Sequence, residues 1–185
     1  MNVRPYQPKD FERMHKICFE TSSGFDSEKG RVALFATYCD YYVNEEPENC
    51  FVAVNENDEA IGYVICSSDP IRYERVFKEK YAPVLKKASP VRYLFHVVNE
   101  WLCRRVKKEY PAHLHIDILP EGQRMGLGTR LMDALTDHLK KNGVKGVYLV
   151  CGAGNEKGVN FYKKYGFKVL SEKLGSVTFA LKFSS

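Results

Sequence analysis

The feature that most constrains this chain is a turn with two glycines, Gln123–Thr129, placed between an apolar run and a helix-forming segment. The run Leu114–Leu119 is typical of a strand, and Arg130–Lys141 has the pattern of a helix. The first backbone N–H groups of a helix lack intrahelical partners, and the helix dipole favours negative charge there. Gly126 and Gly128 let a phosphate approach the main chain without a Cβ in the way. The turn therefore predicts a phosphate site.

Several common classes of protein are excluded by what the sequence lacks. A dinucleotide fingerprint needs glycines spaced GxGxxG, and a P-loop needs GxxxxGK followed by Ser or Thr; neither run occurs. With 185 residues and 44% hydrophobic content, the chain is long enough for one compact domain that carries an insertion. No run of about 18 apolar residues and no apolar N-terminal signal region occur, so we expect a cytoplasmic protein without a membrane segment.

The six cysteines show no CxxC spacing and no Cys/His cluster with the spacing of zinc ligands. Most of them lie among apolar neighbours, which indicates reduced residues of the core. We therefore expect neither disulfides nor a bound metal. The cysteines are Cys18, Cys39, Cys50, Cys66, Cys103 and Cys151.

Positive charge is concentrated in one segment of the chain. Ile71–Tyr110 holds eleven basic and four acidic residues, a net charge of +7, whereas the whole chain carries +5. The simpler interpretation is a solvated face of helices. The alternative is attraction for an anionic ligand or partner. Nucleic acid is an unlikely partner because no recognised reading motif accompanies the charge.

The hydrophobic pattern predicts an order of elements that combines hairpins with one β–α–β crossover. Such an order favours a mixed sheet. The predicted strands are Asn2–Tyr6, Cys50–Val54, Ala60–Cys66, Ala112–Leu119, Gly146–Cys151, Lys168–Leu170 and Val177–Lys182. The predicted helices are Phe11–Glu20, Glu28–Val43, Arg72–Ala88, Val91–Lys108, Arg130–Lys141 and Asn155–Tyr165.

Two of these helices have apolar faces that predict packing against the core. In Glu28–Val43, one side is formed by Val32, Phe35, Ala36 and Cys39. In Val91–Lys108, the apolar side chains that share a face with Trp101 run at helical spacing, and this pattern predicts packing rather than contact with a cofactor.

A second motif lies one strand downstream of the glycine turn. It is Asn155–Phe167, with the sequence NEKGVNFYKKYGF. Together with Gln123-x-x-Gly126-x-Gly128, it closely resembles the GNAT acetyltransferase superfamily. That family has Gln or Arg-x-x-Gly-x-Gly or Ala, then a helix and a strand, then Asn-x-x-small-x-x-aromatic-Tyr-x-x-x-Gly-Phe. The run His113–Pro120 further resembles the acetyltransferase-like domain of O-GlcNAcase proteins and its free-standing bacterial relatives.

The resemblance implies an α+β fold in a single domain over residues 1–185. Its central sheet would be mixed and mostly antiparallel, with parallel fourth and fifth strands that splay apart, helices on both faces and a helical insertion at about 70–110. Acetyl-CoA would lie between the splayed strands, Ala112–Leu119 and Val147–Cys151. Splaying leaves backbone N–H and C=O groups without strand partners, and the amide-rich pantetheine arm can pair with them.

The resemblance also implies which residues bind acetyl-CoA. Ile116, Asp117 and Ile118 of the first splayed strand would contact the pantetheine arm through their main chain. The glycine turn, Arg124–Thr129, would hold the pyrophosphate. Asn155 would contact the cofactor, cap the following helix, or do both. The implied set is Ile116, Asp117, Ile118, Arg124, Met125, Gly126, Leu127, Gly128, Thr129, Asn155 and Tyr162.

Tyr162 resembles the family's general acid, which protonates the departing CoA thiolate. The general base is less clear, because the positions at which many relatives carry Glu hold Ala112 and Val150. The nearest substitutes are His113, His115 and Asp117, which share one face of a regular strand; a bulge would change that arrangement. His115 or Asp117 could act as the base, directly or through a water. The alternatives are that both only make structural hydrogen bonds, or that a water chain acts without a single base.

The sequence therefore predicts an N-acetyltransferase that transfers the acetyl group of acetyl-CoA to the amine of a small molecule or peptide. The acceptor would bind between Ser22–Ser27, the splayed strands and the final strand pair, bordered by the basic segment Ile71–Glu109. A positive rim would suit an acidic or phosphorylated acceptor. One alternative is a catalytically weak or inactive acetyl-CoA-binding module with a protein partner, which the missing Glu favours; a nucleic-acid-associated module is the weakest. The chain would be a monomer or a homodimer.

Overall fold

The computed structural model describes residues 1–183, and a seven-stranded sheet runs through them. The spatial order of the strands is β1-β2-β3-β4-β5-β7-β6. Every neighbouring pair is antiparallel except β4 and β5, which are parallel. The predicted mixed, mostly antiparallel sheet is confirmed. The strands are β1 (Asn2–Pro5), β2 (Phe51–Val54), β3 (Ala60–Ser67), β4 (Ala112–Ile118), β5 (Gly146–Gly152), β6 (Lys168–Lys173) and β7 (Ser176–Lys182).

Helices connect these strands and cover the sheet. Four of them lie between β3 and β4, and a π-helical turn over Phe77–Tyr81 joins the first two of these. None of the helices within residues 1–183 is long and apolar enough to cross a membrane. The helices are α1 (Phe11–Glu20), α2 (Glu28–Tyr38), α3 (Asp40–Glu45), α4 (Pro70–Val76), α5 (Ala82–Ala88), α6 (Pro90–Cys103), α7 (Val106–Glu109), α8 (Leu127–Lys141) and α9 (Glu156–Tyr165).

The core lies in two layers, one on each face of the sheet. Strand β3 shows both, because its alternate residues enter different layers. Tyr63 and Ile65 pack with α1 to α5 on one face, whereas Val64 and Cys66 pack with α8 and α9 on the other. All eight residues of β3 are buried, as expected for a strand covered on both sides. Helices on both faces of the sheet were predicted, and the structure confirms this.

The predicted single helix Glu28–Val43 is wrong, because the chain breaks at Cys39. Cys39 has φ −137° and ψ −58°, outside the helical region. The break redirects α3 so that Tyr41 and Tyr42 enter the core almost fully buried. Their hydroxyls find partners there, as buried polar groups require. Long-range packing of two tyrosines therefore overrides local helix periodicity.

The prediction for the core-facing side of α2 is confirmed at Ala36 and Cys39, which are buried, and is wrong at Val32. Val32 is exposed, and Phe35 is only partly buried. The side chains that reach the core are smaller on average, and two of them are alanines, which let α2 approach its neighbours closely. They are Ala33, Leu34 and Ala36.

The apolar face of α6 points to solvent, so its predicted packing is wrong. Leu94 is 64% exposed, Phe95 70% and Trp101 65%. The opposite, more polar face meets the domain instead: His96 stacks on Phe77 with ring centroids 4.2 Å apart. Hydrophobic periodicity identified this helix correctly but did not show which face meets the core.

Candidate active site

A gap opens between the two parallel strands at the centre of the sheet. β4 and β5 pair only at Ala112 with Val147 and at His113 with Tyr148. Beyond these positions β4 stays paired with β3 as far as Ile118, and β5 stays paired with β7 along its whole length. The edge of β4 that faces β5 therefore has no strand partner after His113, and its backbone groups are free to bind an extended polar ligand.

Two cavities meet at this gap. A groove of about 1560 Å³ runs along α8 and α9, and a smaller cavity of about 400 Å³ lies beneath the loop after α1 and beside α6. Only a few of the lining residues belong to both cavities, and these mark the place where they join. The shared residues are Thr21, Ile116, Asp117, Asn155 and Tyr162.

The glycine turn forms one wall of the groove. Arg124 and Gly126 have φ of +62° and +75°, and α8 begins at Leu127 without a side-chain cap. The first backbone bond that spans this end joins Arg130 N to Gly126 O at 3.1 Å. The preceding N–H groups of the first turn are therefore available to an anion. Met125 is 55% exposed and, alone among residues 124–129, does not line the groove.

The two glycines of the turn have different physical roles. Gly126 needs its left-handed conformation, and a Cβ added there would meet nothing within 4 Å. A Cβ added at Gly128 would instead lie 3.1 Å from the ring of Phe161. Gly128 therefore lets α9 pack closely against the start of α8. This packing role adds to the predicted approach of a phosphate at Gly128, which also lines the groove.

Side chains inside and outside the predicted motif complete the groove. The Gln123 amide donates to Ile118 O at 2.9 Å and so fixes the turn to the end of β4. Five cations and three carboxylates line the groove, and the excess of positive charge suits a polyphosphate. The cations are Arg124, Lys140, Lys157, Lys164 and Lys182.

Asn155 lies at the junction and begins α9. Its Oδ1 accepts a hydrogen bond from Gly158 N at 3.0 Å, so the side chain is a helix N-cap. A Cβ at Gly158 would lie 2.7 Å from the Asn155 amide nitrogen, which explains the small residue at this position of the motif. Because Asn155 also lines both cavities, capping leaves its amide available to a ligand.

Tyr162 brings a phenol to the same junction. Its ring packs against Phe161, Phe167 and Phe179, and the side chain is only 8% exposed. Its hydroxyl makes no hydrogen bond to the residues of 1–183. Burial raises the pKa of Tyr162 far above its ordinary value, so the phenol remains a proton donor at any working pH.

Asp117 brings a carboxylate to the junction. Its Oδ2 accepts a hydrogen bond from the Tyr63 hydroxyl at 2.6 Å. Burial raises the pKa of Asp117 above 3.8, and the bond from Tyr63 partly counteracts this shift. Within residues 1–183, Asp117 is the only carboxylate that lines the smaller cavity. A raised pKa makes it a better proton acceptor than an exposed aspartate.

His115 lies two residues before Asp117 in β4, lines the smaller cavity and belongs to a buried hydrogen-bond network. The Tyr42 hydroxyl lies 2.9 Å from His113 Nε2 and 3.0 Å from His115 Nε2. The phenol has one proton, so it donates to one ring and accepts from the other. Burial lowers the pKa of His115 to about 4 and that of His113 well below 6.5. Both rings are therefore neutral near pH 7, and His113 does not reach either cavity.

The strand alternation expected for β4 holds, because its pairing with β3 is continuous from His113 to Ile118 without a bulge. The usual Glu positions are of no use to proton transfer. Ala112 is fully buried and Val150 lines the smaller cavity, and neither side chain can accept a proton.

Comparisons with known proteins agree with this geometry. The sequence pattern of the Acetyltransferase (GNAT) family matches residues 10–167. Protein O-GlcNAcase of Mus musculus is 24% identical over 180 residues, covering 89% of this chain and 20% of that protein. The chain thus spans about a fifth of the length of this curated relative.

Solved structures reproduce the whole fold. The crystal structure of SsHAT superimposes with a TM-score of 0.87 at 28% identity, covering 100% of this chain and 98% of that one. PaiA N-acetyltransferase from Thermoplasma acidophilum, solved in complex with coenzyme A, gives a TM-score of 0.63 at 16% identity, with 98% of each chain covered. The chain belongs to the GNAT acetyltransferase family, and its predicted resemblance to O-GlcNAcase proteins is confirmed as a distant similarity.

Proposed function

We propose that this GNAT family member is an N-acetyltransferase that transfers acetyl from acetyl-CoA to the amine of a small-molecule acceptor. The observation that carries the proposal is the junction of two cavities at Thr21, Asp117, Asn155 and Tyr162. One cavity has the open helix N-terminus and the cations that a pyrophosphate requires. The other is of a size that suits a small acceptor. A thioester at the junction would be open to attack from the smaller cavity.

The chemistry assigned to the junction needs two proton transfers. Asp117, directly or through a water, accepts the proton that the amine loses as its nitrogen bonds to the acetyl carbonyl carbon. When the C–S bond breaks, Tyr162 donates its proton to the CoA thiolate. Because burial raises the pKa of Tyr162, the phenol stays protonated until the thiolate forms, while the same shift makes it a weaker acid towards that thiolate. Holding both reactants at the junction supplies much of the rate acceleration.

His115 is a weaker candidate for the base. Its pKa is lowered to about 4, so it binds a proton poorly at neutral pH. It also lies outside the shared set of residues at the junction. We assign it to positioning, since its bond to Tyr42 ties α3 to β4 beneath the smaller cavity.

The second candidate function is an acetyl-CoA-binding module with little or no catalysis and a protein partner. The observation in its favour is the absence of a proton acceptor at Ala112 and Val150. Because the groove residues would be the same, both candidates require acetyl-CoA to bind.

The first measurement tests both candidates together, and the second separates them. Acetyl-CoA should raise the melting temperature; no shift at millimolar ligand would contradict both. Thiol release in the presence of a panel of amines then distinguishes the enzyme from the module. Tyr162→Phe should lower kcat by about 10- to 100-fold with little change in acetyl-CoA affinity.

The matched control is Tyr165→Phe, the same change three residues further along α9. The Tyr165 hydroxyl donates to Asp133 at 2.8 Å and has no place in the proton transfers. Its kcat should stay within about twofold of the unmodified protein. Equal rates for Tyr162→Phe and Tyr165→Phe would remove the acid role from Tyr162.

A further inference from the structure

Arg92 is the one member of the basic segment that lines the smaller cavity. It stands in the first turn of α6 and reaches back over the loop after α1. Its Cζ lies 3.7 Å from the centre of the Phe25 ring, and its Nη2 donates to Gly24 O at 2.8 Å. The stacking and the hydrogen bond fix the guanidinium and still leave most of its N–H donors unused.

Within residues 1–183, the charge of Arg92 has no protein counter-ion. None of its nitrogens lies within 4.0 Å of a carboxylate oxygen of residues 1–183. It is also the only cationic side chain of the described chain that lines the smaller cavity, since burial keeps His115 neutral. An arginine cannot shed its proton, so the cavity holds a permanent positive charge. The first turn of a helix does not favour a cation, so local helix preference does not explain the residue.

The negative charge of the smaller cavity, on Asp117, lies where the amine would react. Asp117 lines both cavities at their junction, whereas Arg92 lines only the smaller one. The cavity therefore offers a carboxylate beside the groove and a guanidinium away from it. The hydroxyls of Ser22 and Ser23 also line it. An amine with an anionic group of its own complements this arrangement.

We propose that the acceptor is a small amine that carries a carboxylate or a phosphate, and that Arg92 binds this anionic group while the amine faces Asp117. The proposal rests on the proposed function. A guanidinium forms two parallel hydrogen bonds to a carboxylate or a phosphate, which orients the ligand as well as attracting it. A cavity of about 400 Å³ is in the range for small ligands. Diamines would be disfavoured, because their second cation would lie near Arg92.

The test is binding to the full chain saturated with CoA, read by calorimetry. The probes are matched pairs that differ in the anionic group: glycine with glycinamide, and phosphoethanolamine with ethanolamine. The two pairs distinguish a carboxylate from a phosphate. We expect the anionic member of at least one pair to bind about tenfold or more tightly than its neutral partner, as expected for a charge-assisted contact. Putrescine should bind more weakly than the anionic probe that shows this preference.

Arg92→Gln should remove this preference, so that each anionic probe binds no better than its neutral partner. The matched control is Arg31→Gln, which also removes a guanidinium that stacks on an aromatic ring, here Phe19 at 4.7 Å, but lies outside both cavities. Arg31→Gln should keep the preference. Arg92→Lys keeps the charge but loses the paired donors, and should retain only part of it.

Four outcomes would overturn the proposal: equal binding of the anionic and neutral members of both pairs, tighter binding of putrescine than of both anionic probes, a preference that survives in Arg92→Gln, or no detectable binding of any probe. A loss of affinity in Arg92→Gln that is equal for anionic and neutral probes assigns the residue to holding the loop through Gly24. Failure of the proposed function is seen separately, as a missing shift with acetyl-CoA or missing thiol release in the unmodified protein.

Discussion

Replacing either glycine of the turn tests the distinct roles that the structure gives them. Gly128→Ala places a Cβ 3.1 and 3.2 Å from two ring carbons of Phe161, tighter than ordinary contact. Gly126→Ala meets no atom within 4 Å but forces an L-residue to φ +75°. The first change is therefore a clash with one side chain, and the second is strain in the backbone.

The magnitudes follow from these contacts. Overpacking costs about 1–3 kcal/mol of unfolding free energy, and Ala gains back at most about 1 kcal/mol over Gly in a helix. Gly128→Ala alone should thus lower stability by roughly 0–2 kcal/mol. Gly126→Ala should lower it by about 1–2 kcal/mol, the cost of a left-handed conformation with a Cβ. Because these ranges overlap, the single variants alone do not separate the roles.

A double-mutant cycle with Phe161→Leu separates them. Removing the ring removes the clash, so Gly128→Ala should show a coupling energy of about 1–2 kcal/mol with Phe161→Leu, whereas Gly126→Ala should show less than about 0.5 kcal/mol. The assay is unfolding in denaturant, followed by acetyl-CoA titration of the same variants. If the Gly128 coupling is also below about 0.5 kcal/mol, the packing role is refuted. If Gly128→Ala weakens acetyl-CoA binding and the double variant with Phe161→Leu binds equally weakly, Gly128 serves the direct approach of the phosphate.

Tyr63→Phe removes a hydrogen bond that favours the charged form of Asp117, so the pKa of Asp117 should rise. The acid limb of the pH profile of kcat/KM should therefore move to higher pH. An unmoved acid limb would exclude Asp117 as the base. The pKa of His115 is depressed from 6.5 to about 4, so its contribution to stability is present above pH 6.5 and is lost as pH falls towards 4, by about 1.4 kcal/mol per pH unit. Denaturant unfolding at several pH values should show that slope reduced by a similar amount in His115→Gln, and an unchanged slope would contradict the lowered pKa. Trp101 is 65% exposed, so Trp101→Ala should change the free energy of unfolding by less than about 0.5 kcal/mol. Leu131 is fully buried, and Leu131→Ala, measured in parallel, should lower it by about 2–5 kcal/mol. A Trp101→Ala effect above about 1 kcal/mol would contradict the exposure of this side chain.

The parts of the fold that the sequence predicted well depend on short-range patterns. The hairpin of β2 and β3 follows from two apolar runs separated by a polar turn. The crossover from β4 through α8 to β5 follows from the order of strand, glycine turn and helix. The continuous alternation of β4 places His115 and Asp117 on one face, as its period of two requires.

The errors arose where a helix had more than one face that could meet the core. Periodicity marks an apolar stripe on α6, but the domain packs against the face with His96 instead and leaves Trp101 in solvent. In α2 the buried face adds Ala33 and Leu34 to the predicted Ala36 and leaves out Val32. Which face is buried depends on partners far away in the chain, and a local pattern contains no information about them.

The sequence by itself determined the glycine turn at the start of α8, for which we propose anion binding, because a helix N-terminus carries free N–H groups wherever it is placed. It also determined the motif that contains Asn155 and Tyr162. Only the tertiary structure decided what surrounds them. Tyr63 meets Asp117 across 54 residues, and Arg92 meets Gly24 across 68. Contacts of that separation depend on how the sheet and the helices pack, so the charges of the smaller cavity are brought together only in the folded chain.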